Sequence, residues 1–518
     1  MTDRPNILFV VIDQLRADCL TGALADHVDL PNLQALRADA VTFLNHYSVC
    51  NPCGPSRASI LTGQYAMNHG SVRNGTPLPH DTPTLGTEAR RAGYRPMLFG
   101  YTDIARDPRQ HHPNDPDIHT YEAVAAGFDE LVEMRLDESF PWRAYLKSKD
   151  YDLPDYSLFY APQGSDPCDP AFYRAEDSDT AFLTDCVLRD LAVRPPGWFA
   201  QVTYIRPHPP FVAPEPYNRM YDPASLPRPE SVSVEHPFLD ATRQSKTAAS
   251  CVQGLPDLPD SEETTAKLRA LYLGLASEVD HHVGRLLSFL KDTGQFDDTM
   301  IVITADHGET LGDQGCWGKS SYLNSAFHTP LIIRDPRKPN GHGRDVVQPT
   351  ESIDLTPTIL SRIGVMPPDT MDGRDLGVFL DGDVPTDWRS HSFSELDFGD
   401  PIEATNVQVS LGLGASEANL AILRDGTHSL VHFNGGLPAI LFDHTDEGEA
   451  RNIADDPQSA EKMLMLSQSM LDHRMSNPGG RFAQTMVSAA GVKTAPRHAS
   501  GDKTSLNVAK VLRESASL

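Results

Sequence analysis

Three short stretches of this chain carry side chains that could do chemistry together. Cys53-Gly-Pro-Ser-Arg57-Ala-Ser-Ile-Leu-Thr-Gly63 places a thiol just ahead of a helix expected to begin near Ser56. A helix N-terminus offers free N–H groups and the positive end of a dipole, so it suits an anion. Asp13-Gln14 and Asp306-His307-Gly-Glu309 each follow an apolar run directly. Acids at the tips of two strands far apart in sequence can converge only at the carboxyl edge of a sheet. Each feature also has a plainer reading. Cys50-Asn-Pro-Cys53 spells C-x-x-C, a zinc or redox spacing, although no second ligand pair accompanies it. Cys53 could be a reduced structural thiol, Cys50 reads as inert packing, Arg57 could be a surface arginine, and an acid at a strand tip can cap a helix.

The elements that must position these groups can be read from hydropathy. Continuous apolar runs at 6–12, 96–99, 198–205, 300–305 and 330–333 end abruptly in polar residues, as buried parallel strands do. Between them lie helical patterns, the clearest over 262–291, where Leu268, Leu271, Leu275, Val279, Leu286 and Leu290 recur near helical spacing. This alternation predicts an α/β fold with a large, mainly parallel sheet flanked by helices. Beyond about Trp388 short strands at 420–423, 429–433 and 439–442 predict a smaller antiparallel sheet. The expected organisation is a catalytic α/β domain over 1–390, a small α+β subdomain over 391–472, and a polar tail over 473–518 that could serve as an oligomerisation arm.

Composition narrows the partners. The formal net charge is −27, from 44 Lys+Arg against 71 Asp+Glu. That balance argues against nucleic acid and anionic membranes as partners, and it obliges any anion site to build a local positive field. The apolar run at 7–12 is too short to span a bilayer, and Met-Thr-Asp-Arg-Pro enters a strand with no signal-peptide pattern. Seven scattered cysteines do not form a disulfide framework. The expectation is a cytoplasmic protein with reduced thiols.

The Cys53 stretch matches the sulfatase signature Cys-x-Pro-Ser-Arg-x-x-x-Leu-Thr-Gly at every fixed position, so the chain resembles the sulfatase family of the alkaline phosphatase superfamily. The resemblance implies that a maturation enzyme oxidises Cys53 to formylglycine. The hydrated aldehyde attacks sulfur or phosphorus with one hydroxyl and expels the product anion with the other, splitting one hard step into two. It also implies one divalent cation bound by Asp13, Gln14, Asp306, His307 and the formylglycine oxygen, acting as a Lewis acid. Gln14 and His307 stand where sulfatases more often carry acids or Asn; an imidazole ligand moves preference from Ca²⁺ toward Mn²⁺, Zn²⁺ or Fe²⁺, so the expected ion is Ca²⁺ or Mn²⁺. By the same resemblance Arg57 braces the nucleophile, Lys319 contacts the ester oxygens, His208 stands near the leaving group, and Asn74 and Tyr101 touch the substrate.

Cys53-Gly-Pro, Met67-Asn-His69, Gly100-Tyr-Thr102, Asn114-Asp-Pro116, Arg206-Pro-His-Pro-Pro-Phe211 and Asp306-His-Gly-Glu309 together resemble one branch, the phosphonate monoester hydrolases and cytoplasmic dimeric arylsulfatases. The branch implies a small anionic ester as substrate, aryl sulfates foremost with promiscuous turnover of phosphonate monoesters and phosphodiesters, and a homodimer or homotetramer. Two departures, Ser56 in place of Ala and Asp103 in place of a hydroxyl residue, rank sulfate monoesters above phosphonates; a carboxylate at 103 repels an anion unless it is protonated, paired or turned away, or else binds Arg106 or a cationic substrate tail. A serine-nucleophile, two-metal phosphatase built on Ser56, with Asp280-His281-His282 or His328 as extra ligands, is the mechanistic alternative. A scaffold protein with an unmodified Cys53 is the non-enzymatic one.

Overall fold

In the computed structural model, residues 4–136, 139–476 and 485–494 are described. An eight-stranded sheet forms the centre. Across it the order is Arg344–Val346, Val41–Phe43, Leu331–Arg334, Thr299–Thr304, Asn6–Ile12, Phe199–Tyr204, Pro96–Gly100 and Asp129–Glu133. Pairing is parallel throughout except at Leu331–Arg334, which runs against both of its neighbours. The sequence placed that segment among the parallel strands. A short buried apolar run carries no mark of its direction, and only the connection that precedes it decides.

Asn6–Ile12 shows why the run is apolar without alternation. Leu8, Val10 and Ile12 enter one layer of core, while Ile7, Phe9 and Val11 enter the other. Both faces are dry, so period-two alternation disappears. The helix Glu262–Asp292 covers the first face with Leu268, Leu271, Leu275, Val279, Leu286 and Leu290. The second face packs against the helices Cys53–Thr62 and Leu355–Arg362 through Ala58, Ile60, Leu61, Leu355 and Ile359.

The small sheet has the order Ile440–Asp443, His428–Phe433, Asn419–Arg424, Ser392–Asp397 and Cys50–Asn51. The first four pair antiparallel, as expected, and Cys50–Asn51 adds a parallel edge. The chain just before Cys53 is therefore fixed by a strand more than three hundred residues later. Of the expected 473–518 arm, the end of the helix Ala460–Ser476 and a hairpin of Thr485–Ser488 with Gly491–Thr494 are described; the rest of it lies outside the described residues. Among the described residues no helix is long and apolar enough to cross a membrane.

Candidate active site

Register brings the functional residues to one edge. Asn6–Ile12 lies between Thr299–Thr304 and Phe199–Tyr204, parallel to both, with Val11 beside Thr304 and Ile12 beside Tyr204. The residues that follow these strands are Asp13-Gln14, Asp306-His307 and Arg206-Pro-His208. Tyr101 and Asp103 follow Pro96–Gly100 at the same edge.

The helix carrying Cys53 starts at Cys53 itself, three residues ahead of the expected start near Ser56. Pro55 lies in its first turn, where the missing N–H is not needed, so it does not delay the helix. Asn74 accepts the Gly54 N–H at 2.9 Å, and thus fixes the turn that carries residue 53. A side chain at Gly54 would lie only 3.0 Å from Asn74 Oδ1 and 3.1 Å from the Asp103 carbonyl. The helix closes at Gly63 with φ +64°, a left-handed cap that glycine adopts without strain.

Asp13, Cys53, Asp306 and His307 each bring one donor atom into a group whose members lie within 4.8 Å of one another, all buried. Orientation within the group is over-determined. His307 Nδ1 donates to the Gly308 carbonyl at 3.0 Å, which leaves the Nε2 lone pair facing Cys53 Sγ at 3.2 Å. Arg57 and Tyr101 both donate to Asp13 Oδ2, so Asp13 Oδ1, buried and without a hydrogen-bond partner, is turned into the group. A buried carboxylate oxygen left unpaired is costly unless a cation serves it. Asp13, Asp103, Asp306 and Glu309 crowd around Arg57 and Lys319 here, an acid-rich cluster that suits a cation. The donor set therefore fits a metal ion.

Gln14 holds an unusual backbone, φ +68°, which costs a non-glycine residue ~1 kcal/mol or more. Its N–H donates to Asp306 Oδ1 at 3.1 Å and its carbonyl accepts from Tyr272 at 2.7 Å. Its side chain lies beside the group: Oε1 accepts from Lys319 Nζ at 2.9 Å, and Nε2 donates to Glu309. Glu309, fully buried, also accepts from the N–H groups of Leu311 and Gly318.

Arg57 is buried and bridges three carboxylates, Asp13 at 2.7 Å, Asp306 at 3.0 Å and Asp103 at 3.1 Å, with its guanidinium 3.9 Å from the Tyr101 ring centre. It thus braces the acids that surround residue 53. Asp103 pairs with Arg57 rather than Arg106, which reaches Asp117 at 3.6 Å. Burial raises the Asp103 carboxyl to about 7, against the pull of Arg57.

Lys319 and His208 form the partly exposed side of the site, with Nζ 2.7 Å from His208 Nε2. His208 Nδ1 contacts the Pro209 carbonyl. Burial first, then Lys319, holds the imidazole well below its ordinary value. For Lys319 burial disfavours the charge, but Cys53, Asp13 and Asp306 together raise the ammonium. The proton between the two therefore sits on Lys319.

Ser56, the nucleophile of the alternative mechanism, points away. It is fully buried, its Oγ donates to the Asp306 carbonyl at 2.5 Å, and it lies 3.1 Å from Ser48 Oγ. Asp280 accepts from Asn32 and from the Leu33 N–H, so it anchors a helix start. His328 stacks on Tyr47 and contacts the Leu44 carbonyl. Among the described residues the group around Cys53 is the single cluster of His, Cys, Asp and Glu close enough to share an ion. Cys50 lies 3.2 Å from Ser59 Oγ, not in that group.

The family profile described as "Sulfatase" matches residues 5–365, over half of the chain. The chain belongs to the sulfatase family. A second profile, described as "N-sulphoglucosamine sulphohydrolase, C-terminal", matches residues 312–476. Over 517 residues the chain is 34% identical to a "Multifunctional alkaline phosphatase superfamily protein PehA" of Trinickia caryophylli, covering 95% of this chain and 99% of that one. It is 28% identical to a choline-sulfatase of Rhizobium meliloti, over 88% and 84% of the two chains. Among solved structures it resembles the phosphonate monoester hydrolase SpPMH of Silicibacter pomeroyi, 54% identical, TM-score 0.93, covering 96% of this chain and 100% of that one. It also resembles the phosphonate monoester hydrolase of Agrobacterium radiobacter, 36% identical, TM-score 0.88, covering 95% and 100%. As a member of the sulfatase family this chain is a hydrolase of ester bonds.

Two residues of this sulfatase site carry no role in the sequence reading. Glu309 stands inside a quoted motif, and its only signal is an acid directly behind Asp306-His307 in an apolar setting. Tyr272 reaches Gln14 from a helix whose pattern reads as plain core.

Proposed function

We propose that this enzyme hydrolyses monoanionic esters of phosphonic and sulfuric acid, phosphonate monoesters foremost, through a formylglycine made from Cys53. The observation that carries the proposal is Cys53 Sγ lying within 4.8 Å of donor atoms of Asp13, Asp306 and His307. A nucleophile so placed shares its ligands with whatever cation they hold. The helix N-terminus behind it adds positive potential where the anion must sit.

The formylglycine hydrate supplies one hydroxyl that attacks and a second that releases the product anion. A divalent cation held by Asp13, Asp306, His307 and residue 53, with Gln14 alongside, supplies Lewis acidity toward the tetrahedral anion; the imidazole favours Mn²⁺ over Ca²⁺. The chain's own groups do the rest. Arg57 and Tyr101 aim Asp13 into the site. Asn74 holds the Gly54 turn. The Lys319–His208 pair keeps a proton at Lys319 Nζ, in reach of a leaving oxygen on the open side of the site.

Ranking sulfate above phosphonate rested on Ser56 and Asp103. Both are engaged within the protein, Ser56 by Asp306 and Asp103 by Arg57, so neither supports a sulfate preference. The 54% identity to a phosphonate monoester hydrolase over 96% of this chain supports the reverse order. The seven free cysteines fit a reducing cytoplasm, where a maturation enzyme is the required partner. The test is parallel rates on 4-nitrophenyl phenylphosphonate, 4-nitrophenyl sulfate and bis(4-nitrophenyl) phosphate. Highest kcat/KM on the phosphonate is expected; turnover of none of the three would end the proposal.

A further inference from the structure

The rim of the site on the His208 side carries a cation that the reading above does not use. Lys246 follows the helix Pro237–Ser245, and its stem crosses Gly318. A Cβ on that glycine would lie 2.6 Å from Lys246 Nζ and 3.2 Å from its Cδ and Cε. Gly318 has φ +82° and directly precedes Lys319, whose ammonium contacts His208. Lys246 is also near enough to help depress the His208 imidazole. Its ammonium thus lies beside the pair that faces the leaving oxygen.

Lys246 is not ion-paired among the described residues; Lys147 and Lys291 also lack an acid partner but hold the Tyr151 carbonyl and the Phe296 ring, and Lys493 is exposed. Lys149, Lys267, Lys338 and Lys462 each lie within ion-pair distance of a carboxylate. That is the expected state where 71 acids face 44 bases. The Lys246 side chain has neither an ion pair nor a hydrogen bond among the described residues. An unpaired ammonium at the mouth of a site in so acidic a chain makes a local positive field that a second anionic group can use.

We infer that Lys246 binds an anionic substituent, of the carboxylate type, on the leaving alcohol of the substrate. The preferred ester then carries one negative charge on phosphorus or sulfur and another on the group that departs. This rests on the proposed function, because that reading sets the leaving oxygen against Lys319 and His208. A lysine suits the task as a point charge on a flexible stem, tolerant of the substituent's exact position.

The test uses the matured, metal-loaded enzyme and two matched probes, the phenylphosphonate esters of 4-nitrophenol and of 3-carboxy-4-nitrophenol. The quantity read is the ratio of kcat/KM for the carboxylated over the plain ester. Lys246→Gln is expected to lower that ratio about fivefold, equivalent to the ~1 kcal/mol of a partly exposed ion pair. Lys246→Glu lowers it further, Lys246→Arg preserves most of it, and high salt moves the wild-type ratio toward that of Lys246→Gln. An unchanged ratio in Lys246→Gln overturns the inference while the proposed function stands. A wild type inert toward both esters removes the proposed function and the inference together.

Discussion

Replacing Arg57 by alanine separates the roles of guanidinium and cation. In the wild type Arg57 serves three carboxylates, Asp13, Asp103 and Asp306, whose side chains are 1%, 4% and 0% exposed. Removing one partner of a buried ion pair costs ~3–5 kcal/mol, chiefly through the charge left behind. Without a divalent ion all three acids lose their counter-charge, so Arg57→Ala is expected to lose that full amount. With the ion bound, Asp13 and Asp306 regain compensation and Asp103 alone is unserved, so the loss falls to ~1–3 kcal/mol. The variant should also bind the cation at least as tightly as the wild type, since a positive charge beside the ligands has gone. Urea unfolding in chelator and in saturating Mn²⁺, with calorimetric titration of the metal, measures all three quantities. Arg57→Lys, which keeps a charge but not the fork, should fall between. An equal loss with and without the ion, or abolished metal binding in a folded variant, would refute this picture of the site.

Other outcomes follow from the same geometry. Cys53→Ala should abolish turnover of the phosphonate while unfolding within ~1.5 kcal/mol of wild type, as for a small core truncation; activity near wild type would contradict the assigned nucleophile. Lys319→Ala should lower kcat by ~10²–10³-fold and steepen the dependence of rate on leaving-phenol acidity, seen by comparing a series of phenols. Glu278, buried and next to Asp179, has its carboxyl raised from 4.5 to about 8, by burial first. A folded-state value above the unfolded one favours the fold fully below pH ~4.5 and loses that contribution as pH rises toward 8. Glu278→Gln should therefore gain on wild type by at least ~1.4 kcal/mol between pH 5 and pH 9, and a pH-independent difference in unfolding free energy would exclude that assignment.

Much of this site could be read from sequence because buried parallel strands announce themselves. Asn6–Ile12 and Thr299–Thr304 are unbroken apolar runs, and the polar residues that follow must lie at one edge. Asp13 and Asp306 could thus be brought together without coordinates. Direction was not legible for Leu331–Arg334, because a short apolar run is the same forwards and backwards. The wiring of charges was not legible either. Arg57 faces acids from three separate strand ends, and pairing at sequence separations of 44, 46 and 249 residues leaves no local pattern. The parallel edge at Cys50–Asn51 was hidden for the same reason: two residues are too few to show a period, and their partner comes more than three hundred residues later. For Asp103 the sequence leaves several states open: protonated, paired or turned away. A nearby arginine, Arg106, suggested a local pair, but the backbone turn at φ +51° sends the carboxylate toward Arg57.

The chemistry assigned to this protein depends on what residue 53 becomes in the working enzyme. Mass analysis of the peptide that contains it, taken from the same co-expressed, metal-loaded sample whose phosphonate turnover is recorded, addresses this directly. The account predicts a peptide that has lost sulfur and gained an aldehyde oxygen, in a proportion that tracks specific activity. Full activity in a sample whose residue 53 remains entirely a thiol would contradict it.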